Sequence, residues 1–197
     1  IKSSAASDVY KRQGLGHDAG PVPQRPQERQ AWMRFKSQTL TRFTLDLRQA
    51  VQAIRGPQVK TARNLFALPI LEPQSEAWFA QNLDDFLAAY DWTVPMAMPL
   101  MESVPIDASQ AWLTRLVQAV ASHPGALKKT IFELQARDWN RRQQNAIPDQ
   151  QLADWMRLLR LNGVKNYGYY PDDFINNQPD ISRIRPQFSS WWYPDHD

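Results

Sequence analysis

LRLNGVKNYGYYPDDF, residues 159–174, contains the end of one element, the whole of the next and the loop that follows. Gly163 is typical of a helix C-terminus, because glycine adopts the left-handed conformation there without steric cost. The stretch at 164–170, VKNYGYY, is rich in aromatic and β-branched residues, which predicts a strand that ends at the Pro-Asp-Asp sequence. A helix, a short turn, a strand and a polar loop thus follow one another.

The same order recurs upstream. Amphipathic helices are predicted at residues 31–54, 75–90, 109–123 and 149–162, and strands at 59–70, 91–100, 128–135 and 164–170. Strands that alternate with helices pair in parallel through right-handed crossovers. The connections after the strands are longer than those before them, as in a (β/α)8 barrel, where such loops build the active site. The sequence therefore predicts an α/β fold with about four parallel strands and alternating helices, half of a TIM-type barrel.

Composition excludes several classes of function. The net charge is only +3 and the cations are scattered, so no nucleic-acid partner is predicted. The chain has no cysteine, and His17, His123 and His196 stand apart, so neither a metal site nor a cofactor is expected. No G-x-G-x-x-G motif for nucleotides occurs. The apolar stretches are shorter than the ~20 residues of a transmembrane segment.

The first residues differ from the rest. IKSSAASDVYKRQ, residues 1–13, has no hydrophobic period, and DVYKRQ matches the translation of a transposon end used in sequencing libraries. Residues 1–24, which include a Pro-rich stretch, are interpreted as a non-native or disordered leader, and residues 25–197 as the half barrel. A natural disordered leader is the alternative.

Aromatic rings and carboxylates share the loops after the predicted strands. The candidates for ligand binding are Trp78; Met98 and Glu102; Gln135, Asp138 and Trp139; and Tyr169, Tyr170, Asp172 and Asp173. A sugar ring packs its C–H face on an aromatic plane while its hydroxyl or amine groups form directed hydrogen bonds, so this combination favours a saccharide. The alternative for Trp78 is a role in the core, and for Asp172 and Asp173 it is capping of a following short helix.

Other aromatic and apolar residues are assigned to the interior. Trp32, Trp112 and Trp155 lie on apolar faces of predicted helices and are expected in the core. The strand residues Phe66, Met96, Ile131 and Phe132 are expected to point into the barrel.

RGPQVKTARNLFALPI, FELQARDWN and LNGVKNYGYYPDDF, within a match over about residues 25–197, resemble the C-terminal part of the bacterial poly-β-1,6-N-acetylglucosamine N-deacetylases. That family implies a periplasmic, outer-membrane-associated protein of biofilm exopolysaccharide, with a metal-dependent deacetylase domain upstream of a glycoside-hydrolase-like (β/α)8 domain. This chain is then the C-terminal half of that barrel. The resemblance also implies that Trp78, Trp139, Tyr169, Tyr170 and Asp172 bind saccharide. The doubled tryptophan near Trp191 departs from the family pattern.

The resemblance implies partly de-N-acetylated poly-β-1,6-N-acetylglucosamine as the partner, whose ammonium groups Asp138, Asp172 and Asp173 suit. Three hypotheses follow: a half barrel that binds the polymer, a part of a hydrolase that cleaves it, and a gene fragment without function. A glycosidase needs a pair of carboxylates. Glu102, Glu133, Asp138 and Asp172 are candidates for one of them, and no pair is predicted.

Overall fold

The computed structural model describes residues 25–140 and 145–188 of the chain. The main strands are β1 (Ala62–Leu65), β2 (Trp92–Ala97), β3 (Phe132–Gln135) and β6 (Tyr167–Tyr170), and a short antiparallel pair is formed by β4 (Arg137–Asp138) and β5 (Asn145–Ala146). The main strands are all parallel and lie in the order β1-β2-β3-β6, which follows the chain. That sequential order is the order of strands around a (β/α)8 barrel.

Helices connect the strands. They are α1 (Pro26–Arg55), α2 (Ala67–Leu71), α3 (Glu76–Phe79), α4 (Leu83–Ala89), α5 (Ile106–Ala121), α6 (Asp149–Leu161) and α7 (Ile181–Ile184). The predicted α/β fold class, about four parallel strands with alternating helices as in half of a TIM-type barrel, is confirmed. No helix in the described ranges is both long and apolar enough to cross a membrane.

The core lies between one face of the sheet and the helices that follow its strands. Leu65, Phe132 and Leu134 are fully buried there. Trp155 is also fully buried, and its indole Nε1 donates to the Ser109 hydroxyl at 2.9 Å, which satisfies its polar atom. Trp112 is buried on α5. The assignment of Trp112 and Trp155 to the core is thus confirmed.

The longest helix, α1, turns a largely polar side to its neighbours. Ser37 is its buried residue, Lys36 donates to the Ala77 carbonyl, and Arg48 Nη1 donates to the Ala89 carbonyl at 3.2 Å. Leu45 is partly buried against the core, but most apolar side chains of the helix are exposed: Trp32, Phe35, Leu40, Phe43, Leu47, Val51 and Ile54. The prediction that Trp32 belongs to the core is wrong, because the apolar stripe lies beside the face that meets α3 and α4.

The first βα unit departs most from the prediction. The strand predicted at 59–70 is only Ala62–Leu65, because the following ALPIL segment coils into α2 and buries Ala67 and Ile70. The helix predicted at 75–90 is split by Ala80, whose backbone is left-handed at φ 51°. Asn82 then starts α4, where its side-chain oxygen accepts from Asp85 N at 2.9 Å.

The inward face of the sheet also differs from the prediction. Phe132 is fully buried on the helix side. Because successive side chains of a strand point to opposite faces, Glu133 points to the inner face instead. Met96 lies opposite Glu133 in the register, as a residue of the inner face should. The prediction is therefore wrong for Phe132.

Candidate functional site

A groove of about 300 Å³ lies on the inner face of the sheet, at the carboxyl ends of the strands. It is lined by Asn64, Met96, Met98, Met101, Glu133, Trp139 and Tyr170. This is the end at which (β/α)8 domains place their functional groups. The groove has aromatic and thioether walls and a carboxylate in its floor.

Trp139 and Tyr170 form one wall of the groove. Their ring centroids lie 6.2 Å apart and their planes are inclined by 25°, so the two rings stack. Tyr170 is 56% exposed and ends β6, whereas Trp139 is half-buried and follows β4. Stacking occupies the faces that the two rings turn to each other, and a remaining exposed aromatic face is the kind of apolar surface on which a sugar ring packs.

Glu133 supplies the charge of the groove. Asn64 Nδ2 donates to its Oε2 at 3.0 Å, which links β1 to β3 across the inner face. Partial burial raises the pKa of Glu133 above its usual value. Gly168 lies opposite Glu133 in the register, and a Cβ placed on it would meet nothing within 4 Å. The space beside the carboxyl group is therefore open to a ligand.

Gln135 holds the loop after β2 against the loop after β3. It is fully buried, and its Oε1 accepts from Leu100 N at 2.7 Å and from Met101 N at 3.3 Å. Its Nε2 donates to the Arg137 carbonyl at 2.9 Å. Asn140 Nδ2 adds a hydrogen bond to the Leu100 carbonyl. Gln135 thus places Met101 on the groove without lining the groove itself.

Asp138 stabilises the backbone turn that contains Trp139. It is 7% exposed, and its Oδ1 accepts from Asn140 N at 2.9 Å, which closes the turn on either side of Trp139. Arg137 and Asp138 pair with β5 at the same point. The carboxylate therefore fixes the backbone that presents the indole ring.

Tyr169 and Asp172 lie away from the groove. Strand alternation puts Tyr169 on the helix face, where it packs against the core and its ring lies 6.1 Å from that of Phe188. Its hydroxyl donates to Asp172 Oδ1 at 3.1 Å. Burial and this hydrogen bond raise the pKa of the Tyr169 hydroxyl.

Asp173 closes a turn. Its carboxylate accepts from Asn176 N at 3.1 Å and from Asn176 Nδ2 at 2.9 Å, and these bonds lower its pKa. The interpretation of Asp172 and Asp173 as helix caps is wrong, because no helix begins beside them. Asp180 caps α7 instead, where it accepts from Ser182 N.

Trp78 and Glu102 also lie outside the lining of the groove. Trp78 is in α3 and is 43% exposed. Glu102 follows β2, and its Oε1 is buried without a hydrogen-bond partner. Burial, aided by repulsion from Glu72, raises the pKa of Glu102 to about 7. Neither residue lines the groove, although Glu102 directly follows Met101, which does.

The structure therefore brings part of the predicted set together. The groove is lined by four of the predicted residues: Trp139, Tyr170, Met98 and Glu133. Its loops are held in place by Gln135 and Asp138. The remaining candidates are not in its lining: Trp78, Tyr169, Asp172, Asp173 and Glu102. Asn64 and Met101 were not predicted. The alternation in β1 is the signal that could have found Asn64, because Leu65 beside it is buried. Met101 gives no such signal, since a loop has no periodicity.

Two expectations concern residues outside the described ranges: the leader at 1–24 and the role of Trp191. Both stay predictions. Of the three histidines, the structure describes His123, whose Nδ1 lies 2.7 Å from Asp84 Oδ1. Within residues 25–140 and 145–188, no group of three or more His, Asp or Glu side chains could hold a metal ion.

A helix-backed parallel sheet with a loop-lined groove at its carboxyl end is an arrangement typical of glycoside hydrolase barrels. Residues 2–170 match the family described as hypothetical glycosyl hydrolase family 13, GHL13. The chain belongs to this family. It is also 53% identical over 196 residues to the poly-β-1,6-N-acetyl-D-glucosamine N-deacetylases of Escherichia coli K12 and O157:H7. The resemblance to these deacetylases is confirmed.

The match covers 99% of this chain and 29% of each curated relative. Among solved structures, the PgaB (BpsB) glycoside hydrolase domain from Bordetella bronchiseptica is similar at 42% identity with a TM-score of 0.80. That match covers 95% of this GHL13 chain and 52% of the solved chain. The proportion agrees with half of a barrel domain.

Proposed function

We propose that this chain is part of an exopolysaccharide-processing protein, and that its groove binds partly de-N-acetylated poly-β-1,6-N-acetylglucosamine. The observation that carries the proposal is the stacked pair Trp139–Tyr170 beside the Glu133 carboxyl group. The relatives named for this polymer are 53% identical to the chain, which supports the choice of ligand. The site of action proposed with it is the periplasm, at the outer membrane.

The groove separates two kinds of recognition. The rings bind the C–H face of a sugar whatever its substituent, because stacking requires only an apolar plane. Glu133 favours a glucosamine unit, since an ammonium group donates a charge-assisted hydrogen bond that an acetamide cannot match. In this proposal metal-dependent deacetylation belongs to an upstream domain, and this chain binds its product without a cofactor of its own.

Calorimetric titration with matched β-1,6-linked oligomers tests the proposal. The glucosamine oligomer is expected to bind more tightly than the fully N-acetylated oligomer, and Glu133→Gln is expected to reduce that difference. The glutamine keeps an acceptor for Asn64, so the fold of the inner face should be preserved. If the unmodified chain bound both oligomers with equal affinity, the proposed role of the Glu133 charge would be contradicted.

Hydrolysis of the polymer is the second candidate function. Glu133 favours it, because a carboxyl group whose pKa is raised at the carboxyl end of a barrel strand suits a general acid. A glycosidase needs a second carboxylate, and the described residues that line the groove do not include one. The remaining part of a longer protein is then the source of that group.

New reducing ends distinguish the two candidates. The segment can be placed in the full-length E. coli relative in exchange for the equivalent residues, which completes the barrel. Release of shorter oligomers by this chimera, abolished by Glu133→Gln, would establish hydrolysis. Binding without release would leave the groove as a binding site.

A further inference from the structure

A second and larger cleft, of about 490 Å³, lies outside the barrel face, between the N-terminal half of α1 and the segment from Pro73 to Asp85. Arg34 and Ser37 line it from α1, and Glu76, Asp84 and Asp85 line it from the opposite side. The volume is within the range of pockets that bind small molecules.

Negative charge accumulates on one wall of this cleft. Burial is the largest cause of the raised pKa values of Glu76 and Asp85, and repulsion from Asp84 adds to both. Within the described residues, neither Glu76 nor Asp85 takes part in an ion pair, whereas Asp84 contacts His123. Like charges held together at a cost are stabilised when a cation binds among them.

A buried hydroxyl group on the other wall has no partner. Ser37 is 3% exposed, and its Oγ makes no hydrogen bond. An unpaired buried hydroxyl is costly, so a ligand that donates to it or accepts from it gains affinity. The described carboxylates do not form a metal-binding group, which favours an organic cation with hydroxyl groups over a metal ion.

The cleft and the groove lie at the same end of the sheet. Lys36, in the N-terminal half of α1, contacts Ala77, which follows β1, whereas Arg48 contacts Ala89, which precedes β2. The N-terminal half of α1 therefore lies beside the carboxyl ends of the strands. A chain of sugar units bound in the groove is therefore at the same end of the domain as the cleft.

We propose that the cleft between α1 and α3–α4 binds an ammonium-bearing sugar unit, as an additional glucosamine subsite. This inference rests on the proposed function for the identity of the sugar. Glu76 and Asp85 bind the ammonium group, and Ser37 bonds a hydroxyl group of the same unit. Asn82 Nδ2 already donates to Glu76 Oε1 at 2.7 Å, so that carboxylate is held in place for the ligand.

The test uses the double variant Glu76→Gln/Asp85→Asn of the full chain and a β-1,6-linked glucosamine oligomer as the probe. The dissociation constant is expected to rise about tenfold at low ionic strength, which corresponds to one charge-assisted contact. The melting temperature is expected not to fall, because two repelling charges are removed. Asp46→Asn, an exposed carboxylate of α1 outside the cleft, is the charge-matched control and should change neither quantity.

A second variant, for which tighter binding is expected, distinguishes a loss of binding contacts from misfolding. Arg34→Gln removes the cation from the cleft at an exposed position, so it is expected to strengthen binding of the same oligomer. Unchanged affinity in Arg34→Gln and in the double variant would overturn the proposal. If Trp139→Ala loses affinity and the cleft variants do not, the groove is a binding site and the cleft is not. If the cleft variants lose affinity and Trp139→Ala does not, the cleft is a binding site and the proposed function of the groove is contradicted.

Discussion

Trp139 and Tyr170 lie with their ring planes inclined by only 25° although they come from different βα units. β3 and β6 are adjacent and parallel, with Gln135 opposite Tyr170, so the loop after β3 begins beside the end of β6. The turn closed by Asp138 then directs the indole ring back over the tyrosine. The pair is therefore a consequence of strand order and register.

Replacement of Gln135 by leucine is expected to loosen the loop that carries Met101. The substitution leaves the buried N–H groups of Leu100 and Met101 without their acceptor, which costs about 1–3 kcal/mol of the free energy of unfolding. Chemical denaturation measures the loss. Gln110→Leu, at an exposed position of α5, is the control and should be nearly neutral; a Gln135→Leu chain as stable as the unmodified one would show that these bonds are not needed.

Stability should depend on the pH through Glu102. Its pKa is about 7 in the folded chain against 4.5 for the ordinary carboxyl group, so the folded state binds the proton more tightly. The contribution to the free energy of unfolding is full below pH 4.5 and is lost as the pH rises to about 7. At pH 8, Glu102→Gln is expected to be more stable by up to about 3 kcal/mol, with a flatter pH profile.

Thermal melting of both chains between pH 4.5 and 8 measures this difference. Glu28→Gln, an exposed position in the first turn of α1, is the matched control and should keep the pH slope of the unmodified chain. Parallel profiles for Glu102→Gln and the unmodified chain would contradict the assignment of the slope to Glu102.

The chain alone is expected to self-associate through α1. Phe43 is 58% exposed and Ile54 is 83% exposed on the same stripe, next to the unpaired edge of β1 in the described sheet. Sedimentation should show dimers or larger species, and Phe43→Glu/Ile54→Glu should shift them toward monomer. Leu161→Glu, an exposed apolar residue of α6, should not do so. A sharply melting monomer of the unmodified chain would contradict this expectation.

The pattern of the sequence was sufficient for the sheet, because each helix and strand carries its own periodicity. Trp155 could be assigned to the core in the same way, since the apolar stripe of α6 meets the sheet. For α1 the stripe is equally clear, but a period shows only that a face is apolar and does not identify the element that covers it. Trp32 is exposed for that reason.

The groove was harder to predict because β3 is short and three of its four residues are buried. Phe132 and Glu133 cannot be assigned to faces from FELQ alone, and only the packing of the helices decides that the phenylalanine points outward. In β6 the alternation of Tyr169 and Tyr170 was visible, but the prediction treated them as one cluster. Gln135 was predicted to bind the ligand, whereas the structure buries it outside the lining of the groove. Its contacts depend on a loop whose path no local pattern specifies.

The central claim is that Trp139 is presented to a saccharide, and one pair of measurements on Trp139→Ala tests it most directly. In the chimera with a complete barrel, affinity for glucosamine oligomers is expected to fall by about 1–3 kcal/mol, on the scale of ring stacking. The melting transition should hardly move, and Phe174→Ala, at an aromatic position that is 82% exposed and outside the lining of the groove, should change neither quantity. A folded Trp139→Ala variant with unchanged affinity, or a loss of about 3–5 kcal/mol of folding free energy as for a core residue, would contradict the account.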